Sequence, residues 1–437
     1  MSDLKIIVLD DDPTGSQTVH SCPLLLRWDV ETLLVGLGHP SPLCFILANT
    51  RSLSAEAAAA RTREICRNLR QAIAQLNLQH WLIVSRGDST LRGHFWIEPQ
   101  AIAAELGPFQ AQFLVPAFLE GGRITRQGWH LLQTPTGDRP LHETEFARDP
   151  LFGYETSYLP AFLAEQAGDP QLSDRIPVLT ADNLEIAFAI GPESSDRWFV
   201  VDAETPNQLQ QFANRLKIAV LNQGHYLCRS AASLLSALAQ LPPQPIAPQQ
   251  FGQLNPQKRV GIVIVGSWTT ISTGQLETLL EQPEVTSITV PIEPFLHPEV
   301  SDRTQLATNL DRQIQQALQQ GQTPVIFTER QFHACASPEQ QQQLSRAIAD
   351  FLADRVRALP TEIGYLICKG GITTNTILAN LDAAIVELRG QIRTGVNLVQ
   401  LPATHQKFPS LPIVSFPGNI GDRHDLVTIQ RILSGAG

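Results

Sequence analysis

The sequence predicts an α/β protein made of two domains whose mainly parallel sheets face each other across a cleft. Short apolar runs rich in Val, Ile and Leu alternate with longer amphipathic stretches, which is the alternation expected of parallel α/β architecture. The alternation restarts after a segment rich in proline and glutamine. A chain of 437 residues is also too long for one ordinary hydrophobic core.

The first half of the chain contains five predicted strands and two predicted helices. The stretch Ala55–Leu76 is predicted to be helical, because Ser54 can cap its N-terminus and Ile65 and Leu69 recur at helical spacing. The other elements predicted here are the helix Glu98–Leu106 and the strands Leu4–Leu9, Leu43–Ala48, Trp81–Ser85, Phe113–Ala117 and Trp198–Val201.

Residues 241–258 are predicted to be a linker, because their five prolines and several glutamines do not suit a regular element. This segment separates a domain of residues 1–240 from a domain of residues 259–437. In the second domain, strands are predicted at Val260–Val265, Pro324–Phe327, Gly364–Cys368 and Pro412–Phe416, and helices at Ile271–Leu280, Arg303–Gln319, Pro338–Ala358 and Thr374–Leu381.

Charge and cysteine content argue against several classes of protein. With 32 basic and 42 acidic side chains the formal net charge is −10, which argues against nucleic acid or an anionic membrane as a partner. No apolar run approaches the ~18 residues of a membrane span, and we expect no secretory signal. The cysteines form no CxxC pair, so we expect buried, reduced thiols in a cytoplasmic protein. They are Cys22, Cys44, Cys66, Cys228, Cys335 and Cys368.

Acidic and guanidinium side chains follow four predicted strands. Ligands bind beyond the carboxyl ends of strands in open α/β sheets, so we expect these loops to form one site. A carboxylate there suits proton removal from a substrate hydroxyl, and arginines suit a carboxylate or phosphate. The alternative is a solvated acidic turn with structural ion pairs. The candidates are Asp10, Asp11, Asp12, Thr14 and Gly15, then Asn49 and Arg51, then Arg86, Asp88, Ser89, Arg92 and His94, and then Gly122, Arg123 and Arg126.

The second domain offers glycine loops after three of its predicted strands. Glycine lets backbone N–H groups approach phosphates, and a following helix N-terminus favours the anion. Neither GxxxxGK[ST] nor GxGxxG occurs, so P-loop and dinucleotide motifs have no support. Tight strand–helix turns are the structural alternative. The candidate nucleotide-binding residues are Gly266, Ser267, Lys369, Gly370, Gly371, Thr373, Gly418, Asn419 and Gly421.

These motifs resemble those of the four-carbon acid sugar kinase family, nearly from end to end. The family's DDxTG signature is matched by residues 11–15 and its DSTLRG signature by residues 88–93. Arg86 stands where a lysine is usual, and Gly122-Arg123 matches the family's GR turn. Residues 141–150 match a further family segment, Leu-His-x-Thr-x-Phe-Ala-x-Asp-Pro.

The resemblance implies an N-terminal domain that binds a sugar acid and a C-terminal domain that binds ATP with Mg²⁺. Family members phosphorylate acids such as threonate, erythronate or their 3-oxo relatives. Asp11, Asp12 and Asp88 are the implied catalytic residues, with Asp12 or Asp11 as the base. Arginines 51, 92 and 123 are expected to hold the substrate carboxylate, and the cleft between the domains is expected to close over the reactants. A homo-oligomer is compatible with the sequence, and no residue is assigned to a metal.

The sequence departs from the family pattern at three places. Residues 370–374 read GGITT where many members have GGDTA, and residues 416–421 read FPGNIG where many have KSGNFG. The family's GSxxxxT pattern is blurred at residues 229–231, which read Arg-Ser-Ala. These changes leave open a non-catalytic protein that binds a sugar acid. Asp10, Asp12 and Thr14 also fit the DxDxT motif of haloacid-dehalogenase phosphatases, a reading that leaves DSTLRG unexplained.

Overall fold

The computed structural model describes residues 4–12, 15–16, 18–189, 197–296, 303–330 and 338–435. The chain divides into two compact units, Met1–Pro242 and Pro243–Gly437. Both units combine helices with mainly parallel strands, so the predicted α/β class is confirmed.

The first unit contains a parallel sheet and a small antiparallel sheet. The strands are β1 Lys5–Asp10, β2 Cys22–Leu25, β3 Leu43–Leu47, β4 Trp81–Arg86, β5 Ala111–Val115, β6 Arg123–Arg126, β7 Trp129–Thr134, β8 Gly137–Pro140, β9 Val178–Leu179, β10 Arg197–Val201 and β11 Tyr226–Ser230. The helices are α1 Val30–Gly38, α2 Ala55–Gln75, α3 Ile97–Leu106, α4 Leu159–Ala167, α5 Glu185–Phe188, α6 Pro206–Leu221 and α7 Ala232–Ala239.

The parallel sheet of the first unit runs in the order β2-β3-β1-β4-β11-β5-β10-β9. Strands β1 and β3 are buried along their whole length, as expected of strands covered on both faces. Helix α2 begins as predicted, because the Ser54 hydroxyl accepts a hydrogen bond from the backbone N–H of Ala57. Strands β6, β7 and β8 form the antiparallel sheet.

One strand of the parallel sheet that was not predicted matters for the site. Strand β11 was not predicted, and it lies between β4 and β5. Its sequence YLCRS carries an arginine and a serine, so it does not read as an apolar run, yet all five residues are buried. The loops after β4 and β5 are therefore separated by a strand that contributes Arg229.

The second unit has a sheet that is parallel on one side and antiparallel on the other. Its strands are β12 Ile262–Val265, β13 Val285–Val290, β14 Thr323–Thr328, β15 Leu366–Lys369, β16 Ile385–Arg393, β17 Val396–Gln400 and β18 Pro412–Phe416. Its helices are α8 Thr270–Leu280, α9 Glu293–Leu296, α10 Arg303–Gln319, α11 Pro338–Ala358, α12 Gly371–Ala379 and α13 Asp425–Ser434. Within the unit the strands run in the order β13-β14-β12-β15-β18-β17-β16.

The antiparallel pair β16–β17 was not predicted. Burial alternates along β16, which is typical of a strand with one covered face, whereas the prediction relied on continuous apolar runs. Helix α12 begins at Gly371, three residues earlier than predicted, directly after Gly370 with its positive φ of 121°. The Pro/Gln-rich segment, for which no regular element was expected, forms a 3₁₀ helix at Pro248–Leu254, and Phe251 lies in the core of the second unit.

The cysteines are buried as expected wherever they are described. Those are Cys22, Cys44, Cys66, Cys228 and Cys368, while Cys335 lies outside the described residues. Burial raises the pKa of the Cys44 thiol to about 12. None of the described helices is long and apolar enough to cross a membrane.

Candidate functional site

The acidic turn after β1 is tied to the loop after β3 by charge and by backbone hydrogen bonds. The Asp10 carbonyl accepts hydrogen bonds from the backbone N–H groups of Ala48 and Asn49. The guanidinium of Arg51 donates to both carboxylate oxygens of Asp11, at 2.6 and 3.2 Å. The same guanidinium lies 3.4 Å from a carboxylate oxygen of Asp12. Two neighbouring carboxylates therefore share one arginine.

Arg51 is held in its charged form by these neighbours. Burial alone would lower its pKa, but the carboxylates of Asp11, Asp12 and Asp88 raise that pKa above its ordinary value. Arg86 adds a second positive charge, with Nη1 3.4 Å from oxygens of both Asp10 and Asp11. The like charges of the aspartate run are thus compensated by arginines from two other strands.

Asp10 is almost fully buried, and its one ion pair is the 3.4 Å contact with Arg86 among the described residues. A Cβ on Gly15 would overlap its carboxylate, so the turn packs directly against it. Burial raises the pKa of Asp10 to about 7, against the opposing effect of Arg86. Its Oδ2 is buried without a hydrogen-bond partner among the described residues.

Replacing Asp10 by asparagine is expected to change how stability depends on pH. The folded protein keeps a proton at Asp10 that the unfolded chain loses near its ordinary pKa of 3.8. The contribution of this group to the free energy of unfolding is therefore present at low pH and is lost as pH rises from about 4 to about 7. Urea unfolding at several pH values should show a smaller decline for Asp10→Asn than for the wild type. An unchanged decline would contradict the prediction, and Asp169→Asn is the control.

The DSTLRG segment forms a loop that holds Asp88 by hydrogen bonds and brings Gly93 close to Asp11. The Asp88 carboxylate accepts hydrogen bonds from the backbone N–H and hydroxyl of Thr90, and from Nε of Arg92 at 2.8 Å. Burial opposes ionisation of Asp88, but Arg51 and Arg92 hold its pKa well below the ordinary value. Gly93 has a φ of 117°, and a Cβ there would lie 3.1 Å from Oδ2 of Asp11. The loops carrying Asp11, Arg51 and Asp88 therefore meet.

Two guanidinium groups lie on one aromatic ring beside Asp88. Arg92 and Arg123 are 5.5 and 5.9 Å from the centroid of Phe146. Burial lowers the pKa of Arg123, Asp88 raises it, and the positive charge of Arg92 lowers it further. Its Nε is buried without a hydrogen-bond partner in the described part of the chain. Two adjacent cations with unused donor capacity favour an anionic ligand.

Arg229, the second-last residue of β11, is a site residue that was not predicted from the sequence. Its side chain is fully buried, with Nη1 2.5 Å from Glu98 and 2.6 Å from the hydroxyl of Ser85. Nη2 is 3.8 Å from Asp11. Gly87 leaves room for this group, since a Cβ there would lie 2.6 Å from the guanidinium carbon. The blurred GSxxxxT pattern was the available signal, but it did not indicate a buried charge.

The remaining predicted residues of the first unit have varied placements. Asn49 adopts a left-handed conformation with φ 49°, two residues before Arg51. The Ser89 carbonyl lies 2.8 Å from Nε2 of the buried His130, and Nε2 of His94 lies 3.0 Å from the Leu53 carbonyl. Gly122 has a φ of 69° in the turn before Arg123. Arg126 pairs with Asp138 and Glu204, and Thr14 lies outside the described residues.

In the second unit, a pocket of about 490 Å³ lies at the carboxyl ends of four adjacent strands, β14, β12, β15 and β18. Six predicted residues line it together: Gly266, Ser267, Gly370, Gly371, Thr373 and Gly418. Its other lining residues are Trp268, Arg330, Gln341, Leu344, Ser345, Ile348, Ala349 and Ile372. Helix α12 begins at the pocket, and the first N–H groups of a helix have no intrahelical acceptor.

Arg330 was also missed, and of the described residues that line the pocket it carries the single charge. Nη1 donates to the Ser267 carbonyl at 2.5 Å, and Nε and Nη2 are buried without a partner among the described residues. Burial lowers the pKa of Arg330. No glycine lies between β14 and Arg330, so the pattern of glycine loops after strands did not indicate this residue. The half-buried side chain of Trp268, which was not a predicted site residue, also lines the pocket.

Three predicted nucleotide-binding residues lie outside this lining: Lys369, Asn419 and Gly421. The fully buried ammonium of Lys369 donates to the carbonyls of Pro417 and Ile420, at 2.6 and 3.1 Å. It also lies 3.6 Å from the ring centroid of Phe416, its register partner on β18. Phe416 is the position at which many family members carry lysine.

Within the described ranges, no group of three or more His, Cys, Asp or Glu side chains is arranged to hold a metal ion. The aspartates of the first unit are compensated by arginines, and the described lining of the second unit's pocket contains no carboxylate. A Mg²⁺ ion bound mainly by nucleotide phosphates and water fits such a pocket.

Comparison with known proteins finds a separate domain model for each half of the chain. A family model described as a sugar-binding N-terminal domain matches residues 6–238, and one described as a nucleotide-binding C-terminal domain matches residues 262–426. A D-erythronate kinase of Heliobacterium modesticaldum is 25% identical over 418 residues, covering 89% of this chain and 88% of the relative. A D-threonate kinase of Bordetella bronchiseptica is 35% identical over 199 residues, covering 41% of this chain and 47% of the relative.

Solved structures share the fold. A Salmonella typhimurium LT2 protein matches with a TM-score of 0.67 and 20% identity, covering 98% of this chain and 99% of that one. A Haemophilus influenzae protein matches with a TM-score of 0.63 and 16% identity, covering 98% and 100%.

The two matched models divide the chain into a half described as sugar-binding and a half described as nucleotide-binding. The chain belongs to the four-carbon acid sugar kinase family, and it is a kinase.

Proposed function

We propose that this kinase transfers the γ-phosphoryl group of ATP to a hydroxyl of a small sugar acid of about four carbons, such as threonate, erythronate or a 3-oxo relative. The observation that carries the proposal is the pair of guanidinium groups, Arg92 and Arg123, on the ring of Phe146. They suit a carboxylate, and they lie beside Asp88, whose charge also acts on Arg51. The relatives named as erythronate and threonate kinases support the same substrate class.

In the proposed mechanism, Arg92 and Arg123 bind the substrate carboxylate, and Asp12 accepts the proton of the attacking hydroxyl. Asp11 is less suited to be the base, because it is fully buried and bound through both oxygens to Arg51. The Asp12 side chain is 23% exposed, which leaves it accessible to a substrate. Arg51 then orients the aspartates, and Asp88 orients Arg92.

We propose the pocket of the second unit as the ATP site. Trp268, Leu344 and Ile348 provide an apolar wall that suits a base, while the glycine loops and Arg330 suit phosphates. Mg²⁺ would enter with ATP and neutralise phosphate charge during transfer. We also propose a cytoplasmic location. The buried thiols support it, and so do the relatives named as sugar-acid kinases.

A screen of C3–C6 sugar acids and their oxo forms, by thermal shift and ATP consumption, tests the proposal. We expect four-carbon acids to raise the melting temperature and to promote ATP consumption. Binding of an acid with neither ATP binding nor turnover would favour the non-catalytic alternative. Hydrolysis of an aryl phosphate without ATP would favour the phosphatase, for which the fully buried Asp10 would have to act as nucleophile.

Replacement of Arg330 by glutamine is expected to weaken ATP binding about 10- to 100-fold, because charge-assisted hydrogen bonds to phosphate are lost. The KM for the sugar acid should stay within about threefold. Calorimetry with ATP and Mg²⁺ measures the first effect and steady-state kinetics the second. Arg355→Gln, which removes an arginine paired with Asp311 at 2.6 Å in the same unit, is the matched control. Equal ATP affinity of Arg330→Gln and the wild type would remove Arg330 from the site.

A further inference from the structure

The loop after β18 has its carbonyl groups fixed by side chains from elsewhere in the second unit. Pro417 accepts from Lys369, and Gly418 accepts from the hydroxyls of Ser272 and Thr269. The carbonyl of Ile420 accepts from both Lys369 and Gln275. Three of the four carbonyls of residues 417–420, those at positions 417, 418 and 420, are therefore already bound within the protein.

The N–H groups of the same loop are not used in this way. Within the described part of the chain, the backbone N–H groups of Gly418, Asn419 and Ile420 donate no hydrogen bond. Gly418 also lines the pocket of the second unit. A loop with bound carbonyls and unbound N–H groups beside a pocket has the polarity of an anion-binding nest.

Among the described donors that bind these carbonyls, Lys369 is the one that carries a charge. Its side chain is fully buried, and its ammonium lies against the face of the Phe416 ring, 3.6 Å from the centroid. Burial lowers the pKa of Lys369 to about 7, and Asp425 opposes the shift. Asp425 itself is engaged with Arg393 at 3.2 Å and with the backbone N–H of Asp422.

We propose that Lys369 is a positioning residue that holds the 417–420 loop so that its N–H groups can bind a phosphate of the nucleotide. Lys369 acts through the loop and does not touch the nucleotide. The identity of the ligand rests on the proposed function, whereas the positioning of the loop does not.

The test compares Lys369→Met with Lys407→Met. Methionine keeps most of the length of the side chain and removes all three donors. Lys407 is a matched control, because it also binds a carbonyl, that of Arg357, and lies 5.3 Å from an aromatic ring, that of Phe408, away from the glycine loops. Crystal structures of the wild type and both variants show the conformation of the 417–420 loop. Calorimetry measures the affinity for ATP with Mg²⁺, and steady-state kinetics measures the KM of each substrate.

For Lys369→Met we expect displaced carbonyls at Pro417 and Ile420, and an ATP affinity lowered about 10- to 100-fold. The KM for the sugar acid should be unchanged. An undisturbed loop would overturn the proposal, whether or not ATP affinity falls, and so would a disturbed loop with full ATP affinity. If the wild type binds no ATP, the proposed function fails, and the crystal structures alone decide the positioning role.

Should Lys369→Met fail to fold, Ser272→Ala provides the second variant. It removes one donor to the Gly418 carbonyl, at 2.8 Å, and takes away a single oxygen atom. A displaced Gly418 carbonyl together with an ATP affinity lowered severalfold would support the proposal that the carbonyl contacts of the loop determine phosphate binding. A displaced carbonyl with unchanged ATP affinity would overturn the proposal.

Discussion

Replacement of Asp12 by asparagine is expected to lower kcat by about 10²–10⁴, the usual contribution of a general base. Asparagine keeps the shape of the side chain but cannot accept the proton of the attacking hydroxyl. The melting temperature and the affinity for ATP with Mg²⁺ should change little, because Asp11 and Arg51 still form their two hydrogen bonds. Steady-state kinetics with the acid found by the screen measures the effect.

The same substitution at Asp11 should act differently. Arg51, Arg86 and Arg229 all lie within 4 Å of Asp11, so removal of its charge leaves each of these three cations with one carboxylate partner fewer. We therefore expect Asp11→Asn to lower the melting temperature as well as kcat. A loss of kcat without loss of stability distinguishes a base from a residue that maintains the charge network.

Asp169→Asn is the control for both variants. Asp169 lies in the same unit and forms an ion pair with Arg175 at 2.5 Å, but its side chain is 46% exposed. Its replacement should leave kcat and stability nearly unchanged. Wild-type kcat in Asp12→Asn would mean that Asp12 is not the base.

Loop residues that follow strands were the part of the site accessible from sequence. The DDPTG and DSTLRG segments come directly after β1 and β4, and adjacent parallel strands place their ends together. The contact between Arg51 and Asp11 follows from the same rule, because β3 is the other neighbour of β1. Strand order beyond these neighbours depends on pairing across distant parts of the chain, and no local pattern encodes it.

Arg229, which was not predicted, and Lys369, which was predicted as a ligand contact, show which features of the site the sequence does not reveal. Arg229 lies within a strand, so its charge made the segment look unlike a strand. Lys369 lies next to glycines, which suggested a ligand contact. Its actual contacts depend on register, since pairing with Phe416 places the ammonium on that ring and under the following loop. A sequence states which residues are adjacent in the chain, but not which face of the sheet each side chain occupies.

Replacement of Arg229 by methionine is expected to lower the free energy of unfolding by about 3–5 kcal/mol, the typical cost of removing one partner of a buried ion pair. Glu98 is 3% exposed, and without Arg229 the donors it keeps among the described residues are the hydroxyls of Thr50 and Ser85. The guanidinium also lies 4.4 Å from the centroid of the Phe95 ring, a contact that methionine can only partly replace.

Urea unfolding followed by tryptophan fluorescence measures this change. Five of the six tryptophans, Trp28, Trp81, Trp96, Trp129 and Trp198, belong to the first unit, so the signal reports mainly on the unit that contains Arg229. Arg175→Met removes an exposed guanidinium paired with Asp169 and should cost less than about 1 kcal/mol.

The double variant Glu98→Gln with Arg229→Met separates the ion pair from simple packing. With the carboxylate neutralised, no uncompensated charge remains at position 98, and replacement of a buried pair is often nearly neutral. We therefore expect the double variant to regain most of the stability lost in Arg229→Met. If it is as unstable as the single variant, the loss arises from the volume and ring contact of Arg229, and the charge of Glu98 has no part in it. If the double variant regains stability but not kcat, we infer that Arg229 also orients Asp11 for the reaction. Nη2 of Arg229 lies 3.8 Å from the Asp11 carboxylate.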